Sequence, residues 1–367
     1  IRRCRLQPPS SASLGTAGLV YEPARVGSLS GRHRHKTHHG FAAHDLFRDL
    51  PPLVAQSLMP NACPICDGTN TILHAVAEDI EYFTSARTFS YSLCNDCVIL
   101  FVSPMLYEEL DMIYPKNYYS FDPAAPTGLV QKVKQALDRR LFRAVTRQIP
   151  GATLAVLDIG GGSGWLLDAV KASDPRVTTT QVVDIDSGAK AAAECAGHRY
   201  FLGTVEQFNS EEKYDLILML NLIEHVRRPD RVLAKARSLL APDGVLLVKT
   251  PNYDALDARI FRHRSWGGYH APRHFVLFDR DSFARMAKYQ GLDVKSFAYA
   301  QGAPFWTVSA LNELRLLGLV KISRGRPSIY HPLAPLLQAV FAGLDILRSP
   351  FARLSQMIFV LKHAERR

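Results

Sequence analysis

The sequence predicts an α/β fold built on a doubly wound, mostly parallel sheet, and two observations carry that prediction. The first is the segment LAVLDIGGGSGWLLDAV at residues 154–170. It is an apolar run that ends in an acid, a glycine-rich turn and a second apolar run with helical spacing. This order is typical of the first strand, loop and helix of a nucleotide-binding domain. The second is that strand-like runs follow at residues 181–187 and 214–220, and that residues 228–252 are predicted to form a helix, an Asp-Gly turn and a further strand.

The glycine-rich turn distinguishes between ligand classes. It does not fit the G-x-G-x-x-G/A of dinucleotide sites, because the sixth position counted from Gly160 is Trp165. It fits D-x-G-x-G-x-G, formed by Asp158, Gly160, Gly162 and Gly164. This pattern resembles the first motif of the class I S-adenosylmethionine (SAM) methyltransferases. The resemblance implies SAM as cofactor, a Rossmann-like seven-stranded sheet, and these four residues as cofactor ligands.

Three further residues complete the predicted cofactor-binding set. Asp184 ends the next strand-like run, about 20 residues after the glycines, where an acid takes the ribose hydroxyls. Asp186 is a second acid close to the same strand end, and we place it behind Asp184. The resemblance implies that the loop reaching Glu206 lies beside the adenine ring. Asn221 ends the apolar run at 214–220 and is the last member of the set.

The predicted catalytic residues are Glu224, His225 and His274. The first two follow the run at 214–220, at the carboxyl edge where open α/β sheets bind ligands. The E-H-V of this segment and a later P-D-G-V resemble small-molecule methyltransferases, including ubiquinone-pathway O-methyltransferases and sugar methyltransferases, over about residues 125–300. In the family, the HFVLFDRDSF segment that begins at His274 carries a histidine facing the active site. Sugar C-methyltransferases have Glu-His there, whereas this chain has Arg273 before His274.

The predicted reaction moves a methyl group from SAM to a hydroxyl or carbon of a small-molecule acceptor. The acceptor classes are a sugar, a nucleotide- or lipid-linked saccharide, or a similar metabolite. A hydroxyl or carbon must lose a proton, and a histidine suits the role of base, so we expect His225 or His274 to remove it. The alternatives are an RNA methyltransferase docked by its metal module and a catalytically silent SAM-fold partner protein. The intact glycines and acids disfavour the silent protein.

Charge and motifs disfavour a nucleic-acid partner. The chain has a formal net charge of +10, but half of the excess lies in residues 1–58, which hold eight basic and three acidic residues. The presumed core has no concentrated basic stripe. The segment NLIEHV also lacks the [ND]-P-P-[YF] element of many amino-methylating nucleic-acid enzymes. A small-molecule acceptor is therefore preferred to RNA.

Two C-x-x-C pairs predict a structural zinc module. Cys63, Cys66, Cys94 and Cys97 offer four thiolates, the soft ligands of tetrahedral zinc. The intervening residues 67–93 contain strand-like material that can form a hairpin. Two disulfides or a redox pair are the alternatives, disfavoured because no secretory signal is visible and cytosolic thiols stay reduced. Four thiolates leave no open position, so the role is structural. Similar modules precede the domain in certain sugar C-methyltransferases and in an rRNA guanine methyltransferase family.

The N-terminal segment is predicted to be a disordered leader or a non-native extension, because it is rich in Ser, Gly, Pro, Arg and His. An over-extended reading frame is one explanation, since the first methionine is Met59, and an organelle transit peptide is the other. No run of 18 apolar residues exists, and a cytoplasmic location is expected. The predicted units are the leader at 1–58, a zinc ribbon at 59–105, an aromatic linker and helix at 106–150, the SAM-binding core at 151–300, and a helical insertion with the final strand at 301–367.

The insertion at residues 301–355 interrupts the hairpin that should join the last two strands. Its two apolar segments, LNELRLLGLVKI and HPLAPLLQAVFAGLDILRSPF, are amphipathic and have basic flanks. One interpretation is helices that cover the substrate pocket or a dimer face. The other is a peripheral contact with a membrane surface, suited to a lipid-linked acceptor. The sequence does not choose between them, nor does it give the oligomeric state.

Overall fold

The computed structural model describes residues 62–115, 129–263 and 265–365, and the predicted leader lies outside these described residues. The strands are β1 (Thr71–Glu78), β2 (Thr88–Cys94), β3 (Leu100–Ser103), β4 (Leu154–Ile159), β5 (Val177–Asp184), β6 (Arg199–Leu202), β7 (Tyr214–Leu220), β8 (Leu240–Pro251), β9 (Val276–Leu277), β10 (Leu292–Ala300) and β11 (Gln356–His363). The helices are α1 (Leu110–Ile113), α2 (Leu129–Thr146), α3 (Trp165–Lys171), α4 (Ser187–Cys195), α5 (Pro229–Leu239), α6 (Leu256–Ile260), α7 (Arg280–Tyr289), α8 (Ala303–Leu316) and α9 (Ala334–Arg348). Short 3-10 helices lie at Tyr107–Glu109, Ile223–His225, Gly267–Tyr269 and Ser328–Tyr330. None of the described helices is both long and apolar enough to span a bilayer.

The larger sheet has seven strands in the order β10–β11–β8–β7–β4–β5–β6. The pairs β8–β7, β7–β4, β4–β5 and β5–β6 are parallel, while β11 runs antiparallel to both of its neighbours. The fold class predicted from the sequence is confirmed. The chain order reverses between β4 and β7, and ligands bind beside the carboxyl ends of strands at such a switch point.

Both faces of this sheet are covered, which explains why its central strands read as continuous apolar runs. In β7, Leu216 and Leu218 belong to one buried cluster with Val156, whereas Ile217 and Met219 belong to the other. Successive side chains of a strand point to opposite faces, so each alternate pair packs under a different layer of helices. All five side chains are fully buried.

The smaller sheet has the order β1–β2–β3–β9 and is antiparallel throughout. Its first three strands come from the predicted ribbon, whereas β9 comes from the segment that leads into α7. In the pairing of β3 with β9, Leu100 lies opposite Leu277 and Phe101 opposite Val276. One buried cluster contains these residues together with the core side chains of β7 and β8. The sheet thus crosses the boundary predicted at residue 105, and the module boundaries stay predictions.

Two local features differ from or extend the sequence analysis. The predicted Asp-Gly turn at Gly244 lies inside β8, because β8 begins directly after α5. The register jumps from the pair Tyr214–Leu240 to the pair Leu216–Val245, so the intervening residues form an irregular, bulged segment. The insertion at 301–355 forms α8 and α9 and lies between β10 and β11.

Candidate active site

The glycine-rich loop follows β4 and has the left-handed backbone that its glycines permit. The φ angles of Gly160, Gly162 and Gly164 are +76°, +50° and +78°, a region that side chains disfavour. A Cβ on Gly162 would have no atom within 4 Å, so the loop faces open space there. A Cβ on Gly160 would instead lie 2.9 Å from the side chain of Leu222. The loop is therefore braced on one side, by the segment that follows β7, and open at Gly162.

Two carboxylates complete this half of the site, and we call them and the loop at residues 160–164 the cofactor edge. Asp184 accepts hydrogen bonds from the N–H groups of Gly162 (2.8 Å) and Asp186 (2.9 Å). Burial raises the pKa of Asp184, although these backbone donors oppose the shift. Asp158 is fully buried, and its Oδ2 has no hydrogen-bond partner among the described residues. Burial, followed by the charge of Asp184, raises the pKa of Asp158 well above its usual value.

The remaining members of the predicted cofactor set lie apart from that loop. Asn221 is exposed, has a φ of +56° and ends β7. Glu206 is exposed and lies near Tyr107, whose pKa rises because of burial and then because of the Glu206 charge. In the described part of the chain, neither side chain hydrogen-bonds to the glycine loop. Asp186 has a structural role, since its side chain accepts the N–H of Gly188 at the start of α4.

The second half of the site is a group of three histidines, His225, His270 and His274, which we call the histidine cluster. His225 ends the 3-10 helix after β7, and the other two lie in the loop before β9. The ring centroids of His225 and His274 are 4.6 Å apart, and those of His270 and His274 are 5.0 Å apart. Ligand-type atoms of Glu224, His225 and His274 all lie within 4.8 Å of one another. The structure thus brings the three predicted catalytic residues together and adds His270, which the sequence analysis did not select.

Hydrogen bonds fix the proton on one of these rings. Nδ1 of His274 lies 2.8 Å from the carbonyl oxygen of Gly268, which can only accept, so Nδ1 carries the hydrogen of the neutral ring. Nε2 of His274 is then the basic nitrogen. Nδ1 of His225 lies 2.9 Å from the Tyr114 hydroxyl and 3.1 Å from the carbonyl oxygen of Arg273.

Burial sets the charge state of the whole group. Burial and then the charge of His270 lower the pKa of His225 to about 3. Burial and then the two neighbouring histidines lower the pKa of His274 well below its usual value. Burial raises the pKa of Glu224 to about 8, although the Thr250 hydroxyl, which donates to Oε2 at 3.0 Å, opposes the shift. The other oxygen of Glu224 has no hydrogen-bond partner among the described residues. Two neutral imidazoles and a weakly acidic carboxyl therefore share one pocket at neutral pH.

The ribbon holds the histidine cluster in place. Glu81, in the segment between β1 and β2, accepts a hydrogen bond from Nδ1 of His270, and both side chains are buried. From the same segment, Asp79 forms an ion pair with Arg273 at 3.0 Å, and both side chains are fully buried. Burial disfavours the charge of Asp79, but the guanidinium outweighs burial and holds the pKa of Asp79 below its usual value.

Two further contacts tie the ribbon side to the same loop. The Tyr91 hydroxyl donates a hydrogen bond of 2.8 Å to the carbonyl oxygen of Tyr269. Nε of Arg273 donates to the carbonyl oxygen of Ile113, which precedes Tyr114 in the chain. The sequence analysis missed these residues because the acids lie far from the histidines in the chain. A weak signal was available: Asp79 and Glu81 stand between two apolar strands, with no local motif to explain them.

The four predicted metal ligands are also brought together. The Sγ atoms of Cys66 and Cys94 are 3.7 Å apart, and the Sγ atoms of all four cysteines lie within 4.8 Å of one another. All four cysteines are free of disulfides. A tetrahedral zinc ion with Zn–S bonds of about 2.3 Å requires sulfurs about 3.8 Å apart. The four cysteines Cys63, Cys66, Cys94 and Cys97 therefore fit a structural zinc ion.

The chain is similar in sequence to known methyltransferases. Residues 131–296, somewhat less than half of the chain, match the family described as "Methyltransferase domain". The chain is 35% identical over 109 residues to the ubiquinone biosynthesis O-methyltransferase of Actinobacillus pleuropneumoniae. This match covers 26% of this chain and 45% of that relative. It is 27% identical over 138 residues to the mitochondrial ubiquinone biosynthesis O-methyltransferase of Candida albicans, spanning 35% of this chain and 41% of that relative. The matches thus span less than half the length of these relatives.

A solved structure is also similar, at low identity. Coclaurine N-methyltransferase bound to N-methylheliamine and SAH superimposes with a TM-score of 0.42 and 15% identity, over 70% of this chain and 80% of that one. The sheet order, the glycine-rich loop after β4 and the family match describe the same region of the chain. Residues 131–296 therefore resemble a methyltransferase domain, and the sheet order of this region agrees with that resemblance.

Proposed function

We propose that the protein is a SAM-dependent methyltransferase that methylates an oxygen atom of a small-molecule acceptor, a sugar, a saccharide or a similar metabolite. The observation that carries this proposal is the juxtaposition of the cofactor edge with the histidine cluster. Leu222 packs against Gly160, and Glu224 and His225 follow Leu222 two and three residues later in the chain. The relatives named above are O-methyltransferases, which favours oxygen over carbon.

The residues at the cofactor edge fit SAM. The loop is open at Gly162, and a buried carboxylate oxygen of Asp158 has no partner among the described residues. When bound, SAM supplies an electrophilic methyl group, and its transfer depends mainly on the position of the acceptor. Asp184 accepts two backbone hydrogen bonds, and its remaining lone pairs would accept hydrogen bonds from the ribose hydroxyls. The predicted contacts of Glu206 and Asn221 with the cofactor remain part of this proposal.

His274 is the base in this proposal. Its Nδ1–H is committed to the carbonyl of Gly268, so Nε2 can accept the proton of the acceptor hydroxyl. Because its pKa is depressed, the ring is neutral and ready at physiological pH. The carboxyl group of Glu224, whose oxygen lies within 4.8 Å of a ring nitrogen of His274, would stabilise the imidazolium that forms through its dipole. His225, hydrogen-bonded near Tyr114, positions the ring of His274 against which it packs.

A small molecule is preferred to RNA as acceptor. The acids that the ribbon places beside the site, Asp79 and Glu81, are buried and paired with Arg273 and His270, so they support the site and form no surface for phosphate groups. The ribbon in this proposal carries a structural zinc ion and supports the histidine cluster. Binding of RNA through the ribbon would need exposed cations and aromatic side chains at this place.

The test combines binding with a matched pair of variants. Calorimetry should detect SAM and SAH binding to the full chain, and labelled SAM should methylate a member of an acceptor panel of phenols, sugar nucleotides and RNA. His274→Gln should lower the rate by on the order of 100-fold or more, with SAH affinity unchanged. His363→Gln is the control, because His363 lies on β11 and contacts the carbonyl of Leu240.

Three results would overturn parts of this proposal. No affinity for SAM or SAH would remove the proposed activity altogether. An unchanged rate and pH profile in His274→Gln would remove the proposed base. Methylation of RNA alone would replace the acceptor class, and NMR of the product would distinguish a methyl ether from a C-methyl group.

A further inference from the structure

The helix α9 presents an apolar face to solvent instead of the polar face that a surface helix normally has. Six exposed apolar side chains in α9 and at its two ends recur at helical spacing and form one stripe: Leu333, Leu336, Val340, Leu344, Leu347 and Phe351. Ile346 is also exposed but lies off this stripe. The exposed fractions of Leu336, Leu347 and Phe351 are 62%, 75% and 81%. An exposed apolar surface of this continuity marks an interaction site. We call these six residues the α9 face.

The opposite side of α9 is firmly packed, so the orientation of this helix is fixed. Asp345 is the one acid in α9, and its carboxylate is fully buried. It accepts the N–H of Gly302 at the start of α8 (2.9 Å) and pairs with Arg348 (3.1 Å). The Trp306 ring of α8 stacks on Phe341 with centroids 5.3 Å apart. The charge therefore points inward and the apolar stripe outward.

The segment that leads to α9 carries only cations, whereas Phe351 at the other end of the face lines a pocket with both signs of charge: Asp254, Asp279, Asp281, Arg280 and Arg353. Lys321, Arg324 and Arg326 are exposed in the segment that leads to α9, and none of them pairs with an acid in the part of the chain that the structure describes. From residue 314 to residue 364, Asp345 is the only acid in the sequence, and it is buried. The cationic segment lies beside the start of α9, since Ile322 and Ala334 share a buried cluster. Cations next to an apolar stripe complement an anionic lipid headgroup layer above an acyl core.

We propose that the α9 face and this cationic segment dock the protein on an anionic lipid bilayer. A second copy of the chain is the alternative occupant, and the measurements below distinguish it from a bilayer. Docking of this kind does not depend on methyl transfer. It lies close to the acceptor side, since Ser309 of α8 accepts the N–H of Gly267 in the loop that carries the histidine cluster.

The experiment is flotation of the full chain with vesicles. One set of vesicles is phosphatidylcholine alone. The other contains about 30% phosphatidylglycerol, which gives the vesicles a negative surface. We expect binding to the anionic vesicles that weakens with salt. Leu336→Glu combined with Leu347→Glu should lower the partition coefficient by on the order of 10-fold or more. Replacing Lys321, Arg324 and Arg326 by Ala should lower it by on the order of 100-fold, at about fivefold per charge.

Tyr289→Glu provides the matched control, because Tyr289 is 89% exposed, is aromatic and lies on α7 outside the α9 face. It should bind vesicles like the wild type, and all variants should keep the wild-type melting temperature. Equal binding of wild type and the double Glu variant would overturn the proposal. Failure of the wild type to float with anionic vesicles would also overturn the proposal. If ultracentrifugation then shows a dimer that the double Glu variant dissociates, the α9 face is an interface between two copies of the chain.

Discussion

The cofactor edge and the histidine cluster adjoin at one edge of the sheet, but the chain builds them differently. The cofactor edge needs five consecutive loop residues, the acid before them and one acid from the neighbouring strand. The histidine cluster takes its side chains from two segments after β7 and its support from the ribbon, more than 140 residues earlier in the chain. One half therefore depends on local backbone conformation, and the other depends on buried contacts between distant segments. A substitution in one half of the site should therefore leave the other half intact.

Removal of zinc should have the largest effect and should separate the two halves. A structural zinc ion contributes about 10–16 kcal/mol to the folding of small zinc-finger peptides. Without it the ribbon should lose its fold and release Glu81 and Asp79 from the histidine cluster. We expect a loss of rate on the order of 100-fold or more, as for loss of the base, with SAH still bound.

The measurement is zinc content by mass spectrometry, followed by rate and SAH titration before and after chelation. Addition of zinc to the stripped protein should restore the rate, which controls for irreversible damage. A zinc-free chain that turns over at the original rate would show that the ribbon does not support the acceptor half.

The buried ion pair of Arg273 with Asp79 should be the next most sensitive point. Arg273→Met leaves a fully buried carboxylate without its partner, which costs about 3–5 kcal/mol in other proteins. The matched control is Arg87→Met, which breaks an exposed pair with Glu109 and should cost less than about 1 kcal/mol. Urea unfolding of both variants gives the comparison. Adding Asp79→Asn to Arg273→Met should recover part of the loss, and equal stability of the two single variants would contradict the assignment.

The positions of the residues at the cofactor edge could be predicted because their signals are local, and their contact with a cofactor stays a prediction. The glycine spacing, the acid at the end of β4 and Asp184 at the end of β5 are each set by a strand followed by a tight turn. The continuous apolar runs predicted strands buried on both faces, whereas the number of seven strands came from the resemblance to the methyltransferase family. The four cysteines were equally readable, because the ligand spacing of a metal site is itself a local pattern.

The supports of the histidine cluster could not be predicted in this way. In the sequence, Arg273 stands where sugar C-methyltransferases have an acid that would orient the histidine, which weakens the resemblance to that class. The structure supplies acids from the ribbon instead, with Asp79 on Arg273 and Glu81 on His270. Pairing of residues nearly two hundred positions apart leaves no periodicity or spacing in a single chain. The outward direction of the α9 face was hidden for the same reason, since amphipathicity alone does not say which face is covered.

The titration of Glu224 should have a smaller effect on the free energy of unfolding, which should fall as pH rises. Its pKa is about 8 in the folded protein and 4.5 as the ordinary value, so the folded state holds its proton more tightly. The stability that this proton contributes is fully present below pH 4.5 and is lost as pH rises through 8, by up to a few kcal/mol at about 1.36 kcal/mol per pH unit. Glu224→Gln should abolish this decline, so the variant should gain stability relative to wild type as pH rises.

The difference between variant and wild type is the quantity to measure, by urea unfolding from pH 5 to pH 9. Asp158 and Asp257 also have raised pKa values and contribute to the wild-type slope. The exposed Glu194 is the control, because Glu194→Gln should leave the slope unchanged. A slope that is identical in Glu224→Gln and wild type would show that Glu224 is already ionised in the folded protein.

The smallest effect on stability should come from Gly162→Ala, and it tests the other half of the comparison. Gly162 and Gly318 have left-handed φ angles of +50° and +74°, and a Cβ on either would have no atom within 4 Å. Alanine should therefore cost each position a similar backbone strain of about 1–2 kcal/mol. The two positions differ in that Gly162 faces the cofactor edge, so SAH affinity should fall 10-fold or more, on the order of one lost close contact, in Gly162→Ala alone. Equal SAH affinity in both variants would place cofactor binding elsewhere, whereas a selective loss, with the Glu224 slope intact, would show that the two halves of the site are built independently.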